Sequence, residues 1–239
     1  MAGAKELRLG IAGLGTVGVG LLKLLSGPEP AGEGRLKVIA VSARSRNRKR
    51  DVDISVFPWF DDPSEIAANP DVDVFVELMG GSDGPAKHAV EIALKRGASV
   101  VSANKALVAE HGAALAALTE KHGGALLFEA AVGGGVPVVK AVRESFAGAK
   151  VKAVSGILNG TCNYLLTEME KSGRPFADVL ADAQRLGYAE ADPFMDVSGT
   201  DAAHKIAILA GIAFGFAPDF KTVGIEGVTG VTLLDIRLA

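Results

Sequence analysis

The sequence predicts an α/β protein that begins with a doubly wound, mostly parallel sheet. Short apolar segments of strand length alternate with longer helical segments in the first half of the chain, which is typical of parallel sheets covered by helices. A glycine fingerprint directly follows the first apolar segment, and glycine, serine and lysine follow later ones, where such sheets bind ligands. The pattern changes after Glu129, so a second, α+β domain is expected to follow.

Length and composition narrow the class of protein. With 239 residues, 49% hydrophobic and 22% charged, the chain can bury a substantial core, and its net charge of −3 gives no general reason to expect nucleic acid. The single cysteine excludes an intrachain disulfide and suits a reducing compartment. The charged N-terminus does not match a secretory signal, and apolar segments stop well before the ~18 residues that a membrane span needs. We expect a cytoplasmic protein that binds neither nucleic acid nor a membrane.

The first predicted strand, Leu7–Ala12, runs directly into a GxGxxG motif and then into a helical segment. In this context the first glycine permits a tight turn, the second lets the backbone approach a pyrophosphate, and the third brings helix and strand together. The amides at the helix start then face the phosphates. A glycine-rich turn without a ligand is the alternative. The residues predicted to contact a dinucleotide here are Gly13, Leu14, Gly15, Thr16, Val17 and Gly18.

The second predicted strand, residues 35–42, bears on the choice of dinucleotide. An NAD-binding unit usually places an acidic residue at the end of this strand, where it holds the ribose 2′-hydroxyl. Here Arg44 and Arg46 follow the strand, and no acid occurs before Asp51. Because arginine accommodates a 2′-phosphate, NADP is favoured and NAD stays possible. The alternative is a solvated basic loop.

Polar residues follow the later strands of the predicted sheet. These strands lie at residues 73–78, 98–102 and 126–129. Gly80, Ser102 and Lys105 come at their carboxyl ends, where ligands of doubly wound sheets bind. The three residues are therefore candidates for contacts with the cofactor. For Lys105, an ordinary exposed lysine at a helix start is an equally good interpretation.

A glycine-rich turn at residues 130–137 separates two parts of the chain, and we place the domains at 1–134 and 135–239. The turn is suited to hold an ion or a ligand, or is simply a flexible crossover. Beyond it, residues 150–158 alternate like a half-buried strand. Helices are predicted from Asn159–Thr161 to about residue 171 and from about residue 175 to 186. Cys162 is interpreted as a buried structural residue and not as a nucleophile, because no histidine is near in sequence.

The segment at residues 187–215 begins as an acidic loop and becomes an apolar helix from about residue 200. Asp201 and Lys205 are spaced so that a helix places both on one face. The alanine and isoleucine side chains around them solvate charge poorly. Lys205 is therefore expected to be partly desolvated and able to exchange a proton near neutral pH, although nearby carboxylates oppose this. An ordinary helical ion pair is the alternative.

The end of the sequence suggests an interrupted element. Thr232 and Asp235 form a predicted capping pair at a helix start, with few residues after them. We expect that the chain is a fragment of a longer protein.

Five segments of the sequence form a recognisable set. They are GLGTVG at 13–18, SANKA at 102–106, FEAAVGGGVP at 128–137, GILNGTCNY at 156–164 and GYAEADPFMDVSGTDAAHK at 187–205. Together they closely resemble the homoserine dehydrogenase family over nearly the whole chain, and the last two are far more specific than the glycine fingerprint. The resemblance implies interconversion of homoserine and aspartate 4-semialdehyde with NAD(P), on the route to threonine and methionine.

The resemblance also implies roles for individual residues. Lys205 would be the catalytic acid/base, Asp201 would lie beside it in the site, and Lys105 would serve the cofactor and the reacting centre. Glu190 and Asp196 match acidic residues that bind or orient the substrate. Reduction of the aldehyde would take a hydride from NADPH and a proton from Lys205.

Three further expectations come from the family alone. It has a monovalent-cation site, usually sodium, with a structural role, which maps to Glu129 and the backbone of Val132, Gly134 and Val136. Its members continue well past the point where this chain stops, complete the sheet of the substrate domain there and often add a regulatory domain. We expect a homodimer in the full-length form, and whether this chain folds and turns over alone stays open.

Three other functions are alternatives to a homoserine dehydrogenase. A sugar or inositol dehydrogenase also carries a lysine after a strand, as Lys105 does, but would leave the segment at 187–205 unexplained. An aspartate-semialdehyde dehydrogenase would need a cysteine nucleophile, for which Cys162 is poorly suited. A catalytically silent NADP-binding or interaction protein belongs to a different class altogether. Turnover of NADPH with aspartate semialdehyde, measured beside binding of the cofactor, distinguishes these possibilities.

Overall fold

The computed structural model describes residues 6–27 and 35–239. The described residues up to Ala141 form one compact unit, and Val142–Ala239 form a second. The division falls in a helical segment that starts at Val138. The domain boundary after residue 134, expected from the sequence, stays a prediction. Within the described residues, no helix combines the length and the apolar character that crossing a bilayer would require.

The first unit is built on a six-stranded sheet in which every neighbouring pair is parallel. Its strands are β1 (Leu7–Ala12), β2 (Leu36–Ser42), β3 (Trp59–Phe60), β4 (Val74–Glu77), β5 (Ser99–Ser102) and β6 (Leu126–Leu127). Their order across the sheet is β3-β2-β1-β4-β5-β6. Since β1 pairs with both β2 and β4, the direction in which strands are added reverses there, and ligands of doubly wound sheets bind at such a point. The predicted α/β class is confirmed.

The helices of the two units are mostly short. They are α1 (Thr16–Ser26), α2 (Pro63–Ala68), α3 (Pro85–Lys95), α4 (Lys105–His122), α5 (Val138–Lys140), α6 (Gly160–Ser172), α7 (Phe176–Leu186), α8 (Phe194–Val197), α9 (Thr200–Phe214) and α10 (Leu233–Leu238). A single 3-10 turn, Glu129–Ala131, follows β6, so the last predicted strand is shorter than expected. At α10 the Thr232 hydroxyl accepts a hydrogen bond from the Asp235 amide, and Asp235 accepts one from the Thr232 amide, which confirms the predicted cap.

Side chains that alternate along the strands fill an apolar core on each face of the sheet. Phe75 belongs to one core cluster and Val76 to the other, because successive strand residues point to opposite faces. The first cluster includes residues of α2, α3 and α4, and the second includes Leu22 of α1. Helices thus cover both faces, as parallel sheets require. The carboxyl ends of these parallel strands lie at one edge of the sheet, where Ser42, Glu77 and Ser102 are buried polar residues.

The second unit has a helical core, and one prediction for it is wrong. Leu165 and Met169 of α6 pack with Val179 and Ala183 of α7. Residues 150–158, predicted as a strand, have no strand assignment. Alternation of apolar residues favours a strand only where a second strand supplies hydrogen bonds. No strand occurs among the described residues between 142 and 239, so this segment has no partner.

Gly18 offers a test of the packing between α1 and the glycine turn. A Cβ atom at Gly18 would collide with the carbonyl oxygen of Gly13, whereas one at Gly20, also in α1, would meet nothing within 4 Å. We expect Gly18→Ala to lower the free energy of unfolding by about 1–3 kcal/mol, as overpacking does. Gly20→Ala should instead raise it by about 0.5–1 kcal/mol, because alanine favours the helix. Urea denaturation of both variants measures this, and equal effects would contradict the close approach.

Candidate active site

The glycine turn between β1 and α1 has one residue for each expected role. Gly13 has a φ of +102°, and a Cβ atom there would collide with the carbonyl oxygen of Leu78, just past β4. Gly18 packs against Gly13, as described above. Gly15 is exposed and has open space where a Cβ would be, and Thr16 and Val17 after it are exposed as well. The turn therefore presents its middle glycine and the helix start outward, where a phosphate group can approach the amides.

The basic loop after β2 contains arginines of two kinds. Arg44 and Arg46 are exposed, and the Arg46 guanidinium lies 5.8 Å from the centre of the Trp59 ring. Arg50 is half-buried and donates hydrogen bonds to backbone carbonyl groups, one of them that of Leu14 in the glycine turn at 3.1 Å. No local sequence feature distinguishes Arg50 from its basic neighbours, so the sequence alone does not indicate these contacts. Trp59 lies in β3, a strand too short to be predicted.

A buried carboxylate joins two of the predicted cofactor residues. Glu77, at the end of β4, is fully buried and accepts hydrogen bonds from the Met79 amide (2.7 Å) and the Gly80 amide (3.2 Å). Its other oxygen accepts one from the Ser102 hydroxyl at 2.6 Å. The carboxyl ends of β4 and β5 are thereby tied together. The sequence signal for Glu77 is an acid inside an otherwise apolar strand, and none of the motifs includes it.

The start of α4 is held next to this carboxylate. The Asn104 side chain caps α4 by accepting from the Leu107 amide at 3.1 Å, and it donates to the carbonyl oxygen of Gly81 at 2.7 Å. The backbone amide of Asn104 donates to the Ser102 hydroxyl oxygen at 3.0 Å. Lys105 is the first residue of this helix and is half-buried. Its position after β5 agrees with the expected place, and its role stays a prediction.

The predicted cation residues lie in the turn between β6 and α5. The two carboxylate oxygens of Glu129 accept hydrogen bonds from the amides of Val139 and Lys140, each at 2.9 Å. The carboxylate is thus fixed at the start of α5. The other expected ligands, the backbone carbonyl groups of Val132, Gly134 and Val136, are oxygen donors as well, the type that hard cations prefer, and the cation site stays a prediction. One of these carbonyls, that of Val136, also accepts from the Val138 amide at 2.8 Å.

Two side chains of α9 form the predicted acid–base pair of the second unit. The Lys205 ammonium donates to an Asp201 carboxylate oxygen at 2.7 Å and to the carbonyl oxygen of Leu158 at 2.8 Å. The Lys205 side chain is 19% exposed and the Asp201 side chain 6%, so water screens this ion pair only weakly. The extended segment before α6 therefore supplies an acceptor for the lysine, although it forms no strand.

Asn159 organises the carboxylates around this pair. Its side-chain amide donates to Asp196 at 2.7 Å and to Asp201 at 2.8 Å, while its oxygen caps α6 by accepting from the Cys162 amide at 2.7 Å. It thereby brings Asp196, Asp201 and Lys205 into one hydrogen-bonded cluster. An asparagine just before a helix start signals a cap, but its long-range partners cannot be read from local sequence.

Two other predicted residues lie at or outside the edge of this cluster. Glu190 is exposed, and no hydrogen bond in the described part of the chain joins its carboxylate to Asn159 or Lys205. The Cys162 thiol is half-buried and donates to the Asp196 carbonyl oxygen at 3.2 Å. Burial raises the pKa of this thiol, and the negative charges of Asp196 and Asp201 raise it further. The thiol therefore stays protonated and is a poor nucleophile.

The fold and these sites define a class of dinucleotide-binding proteins, since a glycine turn and helix start lie where strand order reverses. A family model described as "Homoserine dehydrogenase, NAD binding domain" matches residues 13–129, and one described as "Homoserine dehydrogenase" matches residues 137–239. The chain belongs to the homoserine dehydrogenase family.

Relatives and solved structures agree with this assignment. The chain is 45% identical over 240 residues to a homoserine dehydrogenase of Pseudomonas aeruginosa, covering 98% of this chain and 54% of that protein. The crystal structure of a homoserine dehydrogenase from Thiobacillus denitrificans superimposes with a TM-score of 0.88 at 40% identity, covering 97% of this chain and 54% of that one. A hyperthermophilic archaeal homoserine dehydrogenase mutant in complex with NADPH has a TM-score of 0.81 at 25% identity, covering 97% and 76%. The chain spans about half the length of the curated relatives it matches.

Asn159→Asp tests the carboxylate cluster. The substitution removes two N–H donors and adds a third carboxylate facing Asp196 and Asp201. We expect it to lower the free energy of unfolding by about 1–3 kcal/mol near neutral pH, and by less in acid, where protonation relieves the repulsion. Asn163→Asp, the same change at an exposed position in the first turns of α6, should be nearly neutral. Chemical denaturation at both pH values measures the difference, and a neutral Asn159→Asp would contradict the bridge.

Proposed function

We propose that this chain carries the cofactor-binding and catalytic parts of a homoserine dehydrogenase, which interconverts L-homoserine and L-aspartate 4-semialdehyde with a nicotinamide dinucleotide. The observation that carries the proposal is the cluster of Asn159, Asp196, Asp201 and Lys205, which lies inside the matched catalytic segment at residues 137–239. The homodimer that the resemblance implies stays a prediction.

The chemistry follows from how Lys205 is held. An ammonium group has three N–H donors, and two of them are directed at the Leu158 carbonyl and the Asp201 carboxylate. No described residue accepts from the third, which leaves it for a substrate oxygen. A positive charge fixed beside that oxygen stabilises the alkoxide that develops when the aldehyde is reduced, and the lysine then donates its proton. Asp201 keeps the amine oriented.

The substrate also carries an amino group and a carboxylate. Asp196 and Glu190 are the proposed partners of the substrate, and as carboxylates they suit its ammonium group. Asp196 accepts from Asn159 through one oxygen, so its second oxygen keeps acceptor capacity. Glu190 is exposed and can approach a ligand by movement of its side chain.

The cofactor residues proposed for the first unit are the glycine turn, the start of α1 and the ends of β4 and β5. Residues 13–18 would hold the pyrophosphate, and Gly80, Ser102 and Lys105 would contact the remainder of the dinucleotide. When bound, the reduced nicotinamide supplies the hydride. Arg44 and Arg46 would hold a 2′-phosphate, so we infer a preference for NADP over NAD. A relative solved in complex with NADPH supports this choice.

A monovalent cation, sodium in the family resemblance, would be held by the turn before α5. Glu129 and the carbonyl groups of Val132, Gly134 and Val136 would be its ligands. The role proposed for the ion is structural, since it would fix the turn between β6 and α5.

Lys205→Ala tests the acid–base role. We expect kcat for NADPH oxidation with aspartate semialdehyde to fall by about 10²–10⁴, the range typical of general acid–base catalysis, while NADPH binding persists. Lys171→Ala, at an exposed lysine of α6, is the matched control and should leave turnover unchanged. Turnover by Lys205→Ala at the wild-type rate would refute the role. A wild-type chain that binds NADPH without turnover would favour the silent alternative.

The NADP preference has its own test. We expect replacement of Arg44 and Arg46 by alanine to raise KM for NADPH by about 10-fold to 100-fold, since hydrogen bonds to charged groups contribute about 1.5–3 kcal/mol. KM for NADH should change much less, because NADH lacks the 2′-phosphate. Lys49→Ala removes an exposed charge from the same loop and serves as the control. Equal effects on both cofactors would contradict the assignment.

A further inference from the structure

We propose that Arg50 is a positioning residue for the dinucleotide, which joins the basic loop after β2 to the glycine turn and so sets the preference for a 2′-phosphate. The inference rests on the proposed function, because it assigns to Arg50 the placement of Arg44 and Arg46. It concerns a residue that holds the binding loop and does not itself bind the phosphate.

The guanidinium of Arg50 is the centre of a set of backbone contacts. Its Nε donates to the Leu14 carbonyl oxygen at 3.1 Å. One terminal nitrogen donates to the carbonyl oxygens of Arg46 at 3.2 Å and Arg48 at 2.9 Å, and the other donates to that of Ser45 at 2.7 Å. One side chain therefore connects the turn proposed for the pyrophosphate with the loop proposed for the 2′-phosphate.

Arg50 differs from Arg44 and Arg46 because most of its N–H donors are already used in hydrogen bonds to the backbone. A guanidinium has five N–H groups in a rigid plane. The Arg50 guanidinium donates hydrogen bonds to four carbonyl oxygens. Little donor capacity remains for a phosphate. Arg44 and Arg46 are exposed instead, and the Arg46 backbone is itself one of the groups that Arg50 holds. Arg50 thus acts through the position of the loop.

The geometry also predicts that lysine cannot replace Arg50. A lysine ammonium keeps the positive charge but has three donors on a single atom, without the planar fork that reaches separated acceptors. It cannot contact the Leu14 carbonyl and three loop carbonyls together. If Arg50 acted on the phosphate only by its charge, lysine would preserve most of the effect. The two roles therefore differ in what Arg50→Lys does.

Calorimetric titration of the 239-residue chain with NADPH and with NADH tests the proposal. We expect Arg50→Lys and Arg50→Met to weaken NADPH binding by about tenfold, and to lower the ratio of NADPH to NADH affinity. Arg48→Lys and Arg48→Met are the matched controls, since Arg48 is exposed and its side chain makes no hydrogen bond to the described residues. The controls should keep the wild-type ratio. Thermal unfolding of each variant defines a temperature at which all are folded.

The outcomes separate this proposal from the one on which it rests. Wild-type affinities in Arg50→Lys would overturn the positioning role, and so would an equal loss for NADPH and NADH, which would indicate a general effect on the fold. A wild-type chain that binds neither cofactor would overturn the proposed function and this inference with it. Should Arg50→Met fail to fold, the comparison of Arg50→Lys with Arg48→Lys decides.

Discussion

The candidate site of the second unit depends on one carboxylate oxygen of Asp201. It accepts hydrogen bonds from both the Asn159 side-chain amide and the Lys205 ammonium. A carboxylate this buried is tolerated only when it is paired and hydrogen-bonded. Asn159 and Lys205 provide both, and each also bonds to the backbone around the start of α6. The lysine charge proposed for the chemistry is thus part of what holds α9 to the segment before α6.

The first unit also contains a buried carboxylate that is satisfied by hydrogen bonds, but without a basic side chain among its described partners. Glu77 is surrounded by amide and hydroxyl donors at the ends of β4 and β5, and no basic side chain is among the hydrogen-bond partners described for it. Arg50 is its counterpart of opposite charge, surrounded by carbonyl groups. In both cases a charged side chain orders irregular backbone at a strand end. Such backbone can then present amides and side chains to a ligand without the support of regular secondary structure.

The local features of this structure follow from sequence, and the long-range ones do not. Short apolar runs predict β1 and β2, and a longer apolar segment predicts α9, because each of these elements depends on neighbours within a few residues. The strand β3 has two residues and exists only because β2 lies beside it. Residues 150–158 have the pattern of a strand and no partner. Asn159 and Asp201 are 42 positions apart, and Arg50 and Leu14 are 36 apart, so no local pattern indicates their contact.

One feature of the basic loop gives the protein an optical property. Trp59 is the only tryptophan of the sequence, and the Arg46 guanidinium lies over its indole ring. The indole nitrogen also donates to Asp61 at 2.7 Å, which fixes the ring. Emission from tryptophan depends on charges close to the ring, and here all of it comes from one position. A displacement of Arg46 is therefore expected to change the tryptophan emission of the chain, with no label attached.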